Sequence, residues 1–262
     1  MEYKVIQSGS VVEVYRYHQF VSLPRSPFYK KQKKYHYVKH SLPDNRACSA
    51  SRSRRNFMRL VNSNTACGKN ADCFLTLTFR PKKLCNLVEA NYEWKKFHQK
   101  LKRLVPNLSY CLAYEWGSKN GRFHYHIILF DFPFIEADVL ESLWGNGFIK
   151  IKKIDPKTLT NVGAYVAKYM AKDMAGGHYI DNKRRYFASR NLARPRVFRY
   201  MLKSGCAFIS SYFNKLKPVI SFTFNSVMRF ISSFDYVMYS LPPNINKTNV
   251  FIALDLNADL VG

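Results

Sequence analysis

The chain has 262 residues, 47% of them hydrophobic, so it can bury a sizeable core in one or two domains rather than stay disordered. Forty-two Lys and Arg stand against 17 Asp and Glu, a formal net charge of +25. That excess makes a polyanion the default partner, nucleic acid or an anionic membrane surface, and argues against a highly soluble secreted enzyme.

The opening MEYKVIQSGSVVEVYRYHQF holds no apolar run after a basic start, so no signal peptide is expected. The most apolar stretch, Lys217 to Leu241, is interrupted by Arg229 and Asp235, which argues against a membrane span. None of the six cysteines (Cys48, Cys67, Cys73, Cys85, Cys111, Cys206) forms a C-x-x-C pair, so neither a zinc ribbon nor a dithiol redox site is indicated. They read as reduced thiols of a cytoplasmic protein.

Charge is uneven along the chain. Residues 1–70 carry a net +11, residues 71–199 a net +12, and residues 200–262 only +2. The polyanion surface is therefore expected in the first 199 residues, and the Phe-, Ser- and Tyr-rich tail reads as packing material. Tyr29, Lys30, Lys31, Lys33, Lys34, Tyr35, His36, Tyr37 and Lys39 interleave cations and rings. That pattern suits single-stranded nucleic acid, and equally a solvated charged face beside a strand. Arg52, Arg54, Arg55 and Arg59 flank Phe57, Leu60 and Val61, whose spacing predicts a short helix with a basic outer face. Arg52, Arg54 and Arg55 are candidate DNA contacts.

The middle third is richer in signals. CFLTLTF (73–79) alternates and reads as a strand ended by Pro81. Trp94, Phe97, Leu101 and Leu104 recur among lysines and predict an amphipathic helix over 87–104, stopped before Pro106. LSYCLAYEW (108–116) and RFHYHIILF (122–130) read as strands, with Asn120-Gly121 as the turn pair of a hairpin. A short helix near Glu136–Trp144 ends at Gly145-Asn146-Gly147, and FIKIKKI (148–154) is a further strand. Thr158 or Thr160 can start a helix from about Thr160 to Met174, closed by Gly176-Gly177. The order is β-α-β-β-α-β-α. Hairpin pairing makes the sheet antiparallel and the fold class α+β, with helices on one or both faces.

Two groups of residues carry chemistry. His124 and His126 are two apart on a strand, so both point to one face with Cα atoms about 7 Å apart. Phe123, Tyr125 and Ile127 then point into a core. A two-residue loop places Glu115 opposite His126, and a four-residue loop places it opposite His124. Either puts the carboxylate on the histidine face, whereas a three-residue loop does not. Two imidazoles and one carboxylate can hold a divalent ion and leave positions open for water and a phosphate oxygen. The alternative is a pair of half-exposed strand histidines that bind nothing.

Residues 163–173 read GAYVAKYMAKD. Tyr165 and Tyr169 are i, i+4 on one helix face, and Lys168 and Lys172 repeat that spacing beside them. Adjacent ammonium groups favour a phenolate nucleophile. Tyrosine attack on a phosphodiester leaves a covalent phosphotyrosine that conserves the ester for rejoining. The alternative is a helix that packs its tyrosines and keeps its lysines in water.

These residues, in this order, resemble the HUH superfamily of single-strand endonucleases, in particular the rolling-circle replication initiators of small circular-DNA phages and plasmids. FLTLTF (74–79) resembles the first strand motif, RFHYHIILF (122–130) the HUH strand, and YVAKYMAKD (165–173) the tyrosine motif. Tyr-x-x-Lys-Tyr resembles the two-tyrosine initiators of single-stranded DNA phages. Glu115, nine residues before His124, stands where many such initiators place their acidic ligand. The resemblance runs from about Asn56 to Pro195.

It implies an HUH endonuclease-like (RRM/ferredoxin-like) antiparallel sheet flanked by helices. It divides the chain into a basic, aromatic-rich N-terminal extension (1–55), an endonuclease domain (56–199) and a C-terminal segment (200–262) packed on that domain. It implies a site-specific single-stranded DNA endonuclease and ligase that starts rolling-circle replication at an origin, such as a hairpin exposing single-stranded DNA. Mg²⁺ or Mn²⁺ would sit on His124, His126 and Glu115. Tyr165 would attack first, Tyr169 would serve a second transfer, and Lys168, with Lys172 beside it, would neutralise the phosphate. No Walker A sequence is present, so a host helicase and polymerase are the implied partners, in the cytoplasm of a bacterial host, with no membrane and no small-molecule cofactor. An HUH transposase or relaxase, or a non-catalytic single-stranded nucleic-acid-binding protein, would share much of this pattern.

Overall fold

The computed structural model describes residues 2–18, 45–80, 86–116, 122–155, 158–159, 161–175, 185–201, 216–225 and 233–241. The elements are β1 (Glu2–Ser8), β2 (Val11–Tyr17), α1 (Asn45–Asn64), β3 (Cys73–Thr78), α2 (Leu87–Leu104), β4 (Ser109–Trp116), β5 (Phe123–Phe130), α3 (Ala137–Trp144), β6 (Ile149–Lys153), α4 (Val162–Ala175), β7 (Tyr186–Ala188), β8 (Arg196–Met201), β9 (Ile220–Phe224) and β10 (Phe234–Ser240). Two five-stranded antiparallel sheets and four helices make the fold class α+β, compatible with an HUH endonuclease-like architecture. The stretch β3-α2-β4-β5-α3-β6-α4 has the order expected from the sequence.

The chain divides into two compact units, with breaks between Ser49 and Ala50 and between Pro195 and Arg196. The larger holds most of α1 and everything to β7. Its sheet runs β6-β3-β5-β4-β7. One face carries Leu75, Leu77, Leu112, Tyr125, Ile127 and Leu129 and packs against Ala90, Trp94, Phe97 and Leu101 of α2 and Leu140 and Trp144 of α3. The opposite face carries Phe74, Cys111, Ala113 and Ile128 and packs against Phe57, Leu60 and Val61 of α1 and Val162, Val166, Ala167 and Met170 of α4. Strict alternation along the strands sends neighbouring residues to different cores.

Local chemistry sets the helix ends. Asn86 caps α2, its Oδ1 accepting from the backbone N–H groups of Val88 and Glu89 at 2.9 and 3.0 Å. Gly145 ends α3 in the left-handed conformation, φ 62°. Gly147, at φ +155°, lies where a Cβ would come 2.3 Å from the Thr78 carbonyl oxygen, so only glycine brings β6 this close to β3. α1 is longer than the short helix expected around Phe57. For α4, Thr158 and Thr160 were the expected starts. Thr158 instead donates to the Asp155 carbonyl at 3.2 Å, and Thr160 lies outside the described residues. Asn161 makes the cap, its Oδ1 accepting from Ala164 N–H at 2.9 Å, because a short amide reaches back to the first turn.

The smaller unit is made of β8-β1-β2-β10-β9. Sequence reading placed β1 and β2 in an extension and packed the tail on the endonuclease domain. Here β1 pairs with β8, Val5 opposite Phe198, and β10 pairs with β2, Val237 opposite Val14. Each end of the chain supplies strands with unpaired edges, and the ladder hydrogen bonds are satisfied when the two ends pair. Val5, Val12, Val14 and Leu241 form its core with Tyr3, Phe198 and Tyr239.

Candidate functional site

The sheet register of the larger unit assembles the site row by row. Glu115 lies opposite His124, and His124 opposite Thr78. In the next row Ala113 faces His126, His126 faces Thr76, and Thr76 faces Lys150. Glu115 opposite His124 is the four-residue-loop outcome, which keeps the carboxylate on the histidine face. The turn pair Asn120-Gly121 itself lies outside the described residues.

The two imidazoles lie nearly parallel, their centroids 6.1 Å apart. Each is held from the neighbouring strand. Thr78 Oγ1 is 3.0 Å from His124 Nδ1, and Thr76 Oγ1 is 3.4 Å from His126 Nδ1. These hydroxyls engage one nitrogen of each ring and leave Nε2 as the other. His126 is 5% exposed. Its Nε2 is buried without a hydrogen-bond partner among the described residues and sits 3.7 Å from Glu115 Oε1. Burial pushes His124 below the usual imidazole range, His126 adds to that, and Glu115 opposes it. Among the described residues no three His, Cys, Asp or Glu side chains close into a metal-binding group.

Helix α4 brings the tyrosines onto this face. The Tyr169 ring stacks on His126 with centroids 3.8 Å apart and planes 21° apart. Phe74 lies 5.7 Å from the rings of both Tyr165 and Tyr169. Tyr165 and Tyr169 meet edge to face at 6.2 Å. Lys168 Nζ stands 3.9 Å above the Tyr165 ring and 5.2 Å from that of Tyr169. Burial pushes the Tyr169 phenol up, and its hydrogen bond and proximity to Tyr165 push it further. Tyr165 is the more exposed of the two.

The remaining sequence candidates are more scattered. Arg52 and Arg55 are exposed on α1. Arg54 turns toward α4, its Nε donating to the Ala167 carbonyl at 3.4 Å. Lys172 belongs to α4, but its side chain is not among those described. The basic-aromatic stretch from Tyr29 to Lys39 lies wholly outside the described residues.

Sequence reading missed four supporting groups. Thr76 and Thr78 alternate in FLTLTF, so their shared face was legible, though not their partners. Phe74, on the same face, backs both tyrosines. Asn62 was invisible. Its Oδ1 accepts from Gly163 N–H at 2.7 Å, and its Nδ2 donates to Asn161 Oδ1 at 2.9 Å. A Cβ on Gly163 would sit 2.3 Å from the Met58 carbonyl oxygen, so α1 and α4 touch backbone to backbone there. That contact fixes the start of the tyrosine helix.

An antiparallel sheet with paired histidines on one strand and paired tyrosines on a covering helix defines an α+β fold of the HUH endonuclease-like kind. Residues 72–174, which span β3 to α4, match the family model of replication-associated protein ORF2. That likeness is to a DNA-replication family and is consistent with a replication initiator. No curated protein and no solved structure matches the chain. No helix among the described residues is long and apolar enough to cross a membrane.

Proposed function

We propose that the protein is a rolling-circle replication initiator that nicks and rejoins single-stranded DNA through a 5′-phosphotyrosine. One observation carries this reading: Tyr169 stacks at 3.8 Å on His126, with Tyr165 and Lys168 beside it, so the two chemistry-bearing motifs form one site.

The donor set fits a divalent ion. His126 has a buried Nε2 without a hydrogen-bond partner among the described residues, beside the Glu115 carboxylate, and hydroxyls on Nδ1 orient both rings as ligating histidines usually require. His124, His126 and Glu115 would hold Mg²⁺ or Mn²⁺, which when bound polarises the scissile phosphate. Imidazoles with a carboxylate suit Mn²⁺ well.

The chain's own residues do the rest. Tyr165 Oη attacks the scissile phosphorus, the bond to the 3′ oxygen breaks, and that oxygen leaves as a 3′-hydroxyl after taking a proton. The phenol loses its proton to solvent in the same step. The 5′ phosphate stays on Tyr165. Lys168 places a positive charge beside the phenol and the phosphate, and the site works mainly by position and charge. Tyr169, whose phenol is harder to ionise, takes the second transfer, or the free 3′-hydroxyl closes the circle directly. The liberated 3′-hydroxyl primes a host polymerase behind a host helicase, in the cytoplasm of a phage- or plasmid-bearing cell.

The test is a denaturing gel of the protein with labelled single-stranded oligonucleotides tiled over the replicon and Mn²⁺, followed by mass mapping. An adduct on Tyr165, lost in Tyr165→Phe and with chelator, is expected. Tight binding with no adduct anywhere in the pool would replace this reading with a non-catalytic single-strand-binding protein. An adduct formed only on ends characteristic of a mobile element would point to a transposase or relaxase.

A further inference from the structure

Strand β6 is the outer strand of the sheet that carries the histidines. Its odd residues Ile149 and Ile151 pack into the core beneath α2 and α3. Its even residues lie on the histidine face: Lys150 opposite Thr76 and Lys152 opposite Phe74. Phe148, whose carbonyl accepts from Thr78 N–H at 2.9 Å, extends that row next to Thr78 and His124. Phe148 is 62% exposed, and both lysines are exposed. Among the described residues neither lysine has a carboxylate partner. Lys150 shares a row with His126 two strands away, about 10 Å at the usual strand spacing.

We propose that Phe148, Lys150 and Lys152 form a track for the single strand leading to the His124–His126 centre. Phe148 stacks one base next to the scissile position, and the two lysines hold the phosphates of neighbouring nucleotides. A core strand has no use for a ring this exposed. A merely solvated strand has no use for one beside two cations at period 2, pointing to the face where the phosphate must lie. Stacking on an aromatic plane is tolerant of sequence, and cations follow the backbone, so the track takes single-stranded DNA without reading its bases. The inference rests on the nicking reading above only for the direction of the strand.

The experiment measures binding of a labelled oligo(dT) with chelator present, as a function of salt. Lys153, on the same strand but facing the other way opposite Cys73, is the internal control. Lys150→Ala with Lys152→Ala is expected to make the slope of log K against log salt shallower by about 1.4, at roughly 0.7 for each phosphate no longer held. Lys153→Ala is expected to leave it unchanged. Phe148→Leu is expected to weaken binding about tenfold, and Phe148→Tyr to restore it. An unchanged slope in the double variant, an equal change in Lys153→Ala, or full binding by Phe148→Leu would each overturn the track. Adduct formation is scored separately. A wild-type protein that forms no adduct but shows the slope change would lose the nicking reading and keep the track. An adduct with an unchanged slope would do the reverse.

Discussion

The two sheets of this chain treat their faces differently. In the larger unit helices cover both faces of the sheet, α2 and α3 on one side and α1 and α4 on the other. The smaller unit packs one face of its sheet into a core of Val5, Val12, Val14 and Leu241. On its other face the register lines up Tyr15 with Tyr236 and Phe222, and Tyr17 with Phe234 and Phe224. Their rings contact one another across three strands at 4.9 to 5.8 Å. Phe222 and Phe224 are 49% and 41% exposed.

Cover decides what a titratable residue does. Under α4, His126 is dry, and an imidazole nitrogen lacks the water that would otherwise satisfy it. Charges there act at low effective dielectric, which makes a few donors enough to shift a phosphate's reactivity. On the aromatic sheet the buried carboxylate Glu13 is accounted for by hydroxyls, Tyr15 and Tyr236 donating to Oε1 at 3.3 and 3.0 Å. The first sheet keeps a polar atom in hand for a ligand, and the second uses its polar atoms to hold itself together.

Variants in each sheet test that contrast. The biggest change should be in cleavage. His126→Ala should lower adduct yield at least a hundredfold, whereas Phe222→Ala should leave it within about twofold, because the latter ring belongs to neither the histidine face nor its helices. Equal losses in a nicking assay would mean that the aromatic sheet is part of the reaction.

Gly163→Ala comes next. The added methyl meets the Met58 carbonyl oxygen at 2.3 Å and Asn62 Oδ1 at 2.9 Å, so α4 must move off α1. Overpacking of this kind costs about 1–3 kcal/mol, and thermal melting should show it. Adduct formation should fall further than stability explains, since the tyrosines move with the helix. A variant with wild-type melting and activity would dismiss the clamp.

A smaller effect is expected from Thr78→Val, which keeps the shape and removes the hydroxyl 3.0 Å from His124 Nδ1. Mn²⁺ binding, followed by calorimetry, should weaken about tenfold with the fold intact. Unchanged affinity would show that the threonine does not orient the imidazole toward a metal.

The mildest effect concerns acid stability of the aromatic sheet. Burial alone would raise the Asp235 carboxyl, but hydrogen bonds from Thr223, Arg16 and His18 outweigh it and hold it below the ordinary range. A depressed carboxyl stabilises the fold above its unfolded-state value, and the gain disappears as pH falls through the folded one. Asp235→Asn should therefore be slightly less stable at neutral pH and show a flatter decline below about pH 4. Circular dichroism melts across that range would read it, and parallel pH curves for both proteins would remove Asp235 from the account.

Much of the larger unit was legible in one dimension. The helix over 87–104 appears with those bounds because an apolar stripe at helical spacing is a local pattern and Asn86 caps it on the spot. The common face of Glu115, His124 and His126 followed from strand parity and survives any even-numbered loop. The start of α4 was misplaced because threonine and asparagine both cap helices, and only the approach of α1 selects Asn161. The aromatic sheet was not legible at all. Its strands lie at opposite ends of the chain, and period 2 says which residues share a face but not which strand is the neighbour.

Strand alternation, helix faces and the excess of cations are written in the order of the amino acids, because they depend on residues within a few positions of each other. Folding in three dimensions was needed to lay Tyr169 on His126, to set Thr76 and Thr78 against the imidazoles, to place Phe148 at their border and to pair the chain's ends. Those contacts join residues tens to hundreds of positions apart, and their formation depends on which packed arrangement buries the most apolar surface while leaving the fewest ladder hydrogen bonds unmade.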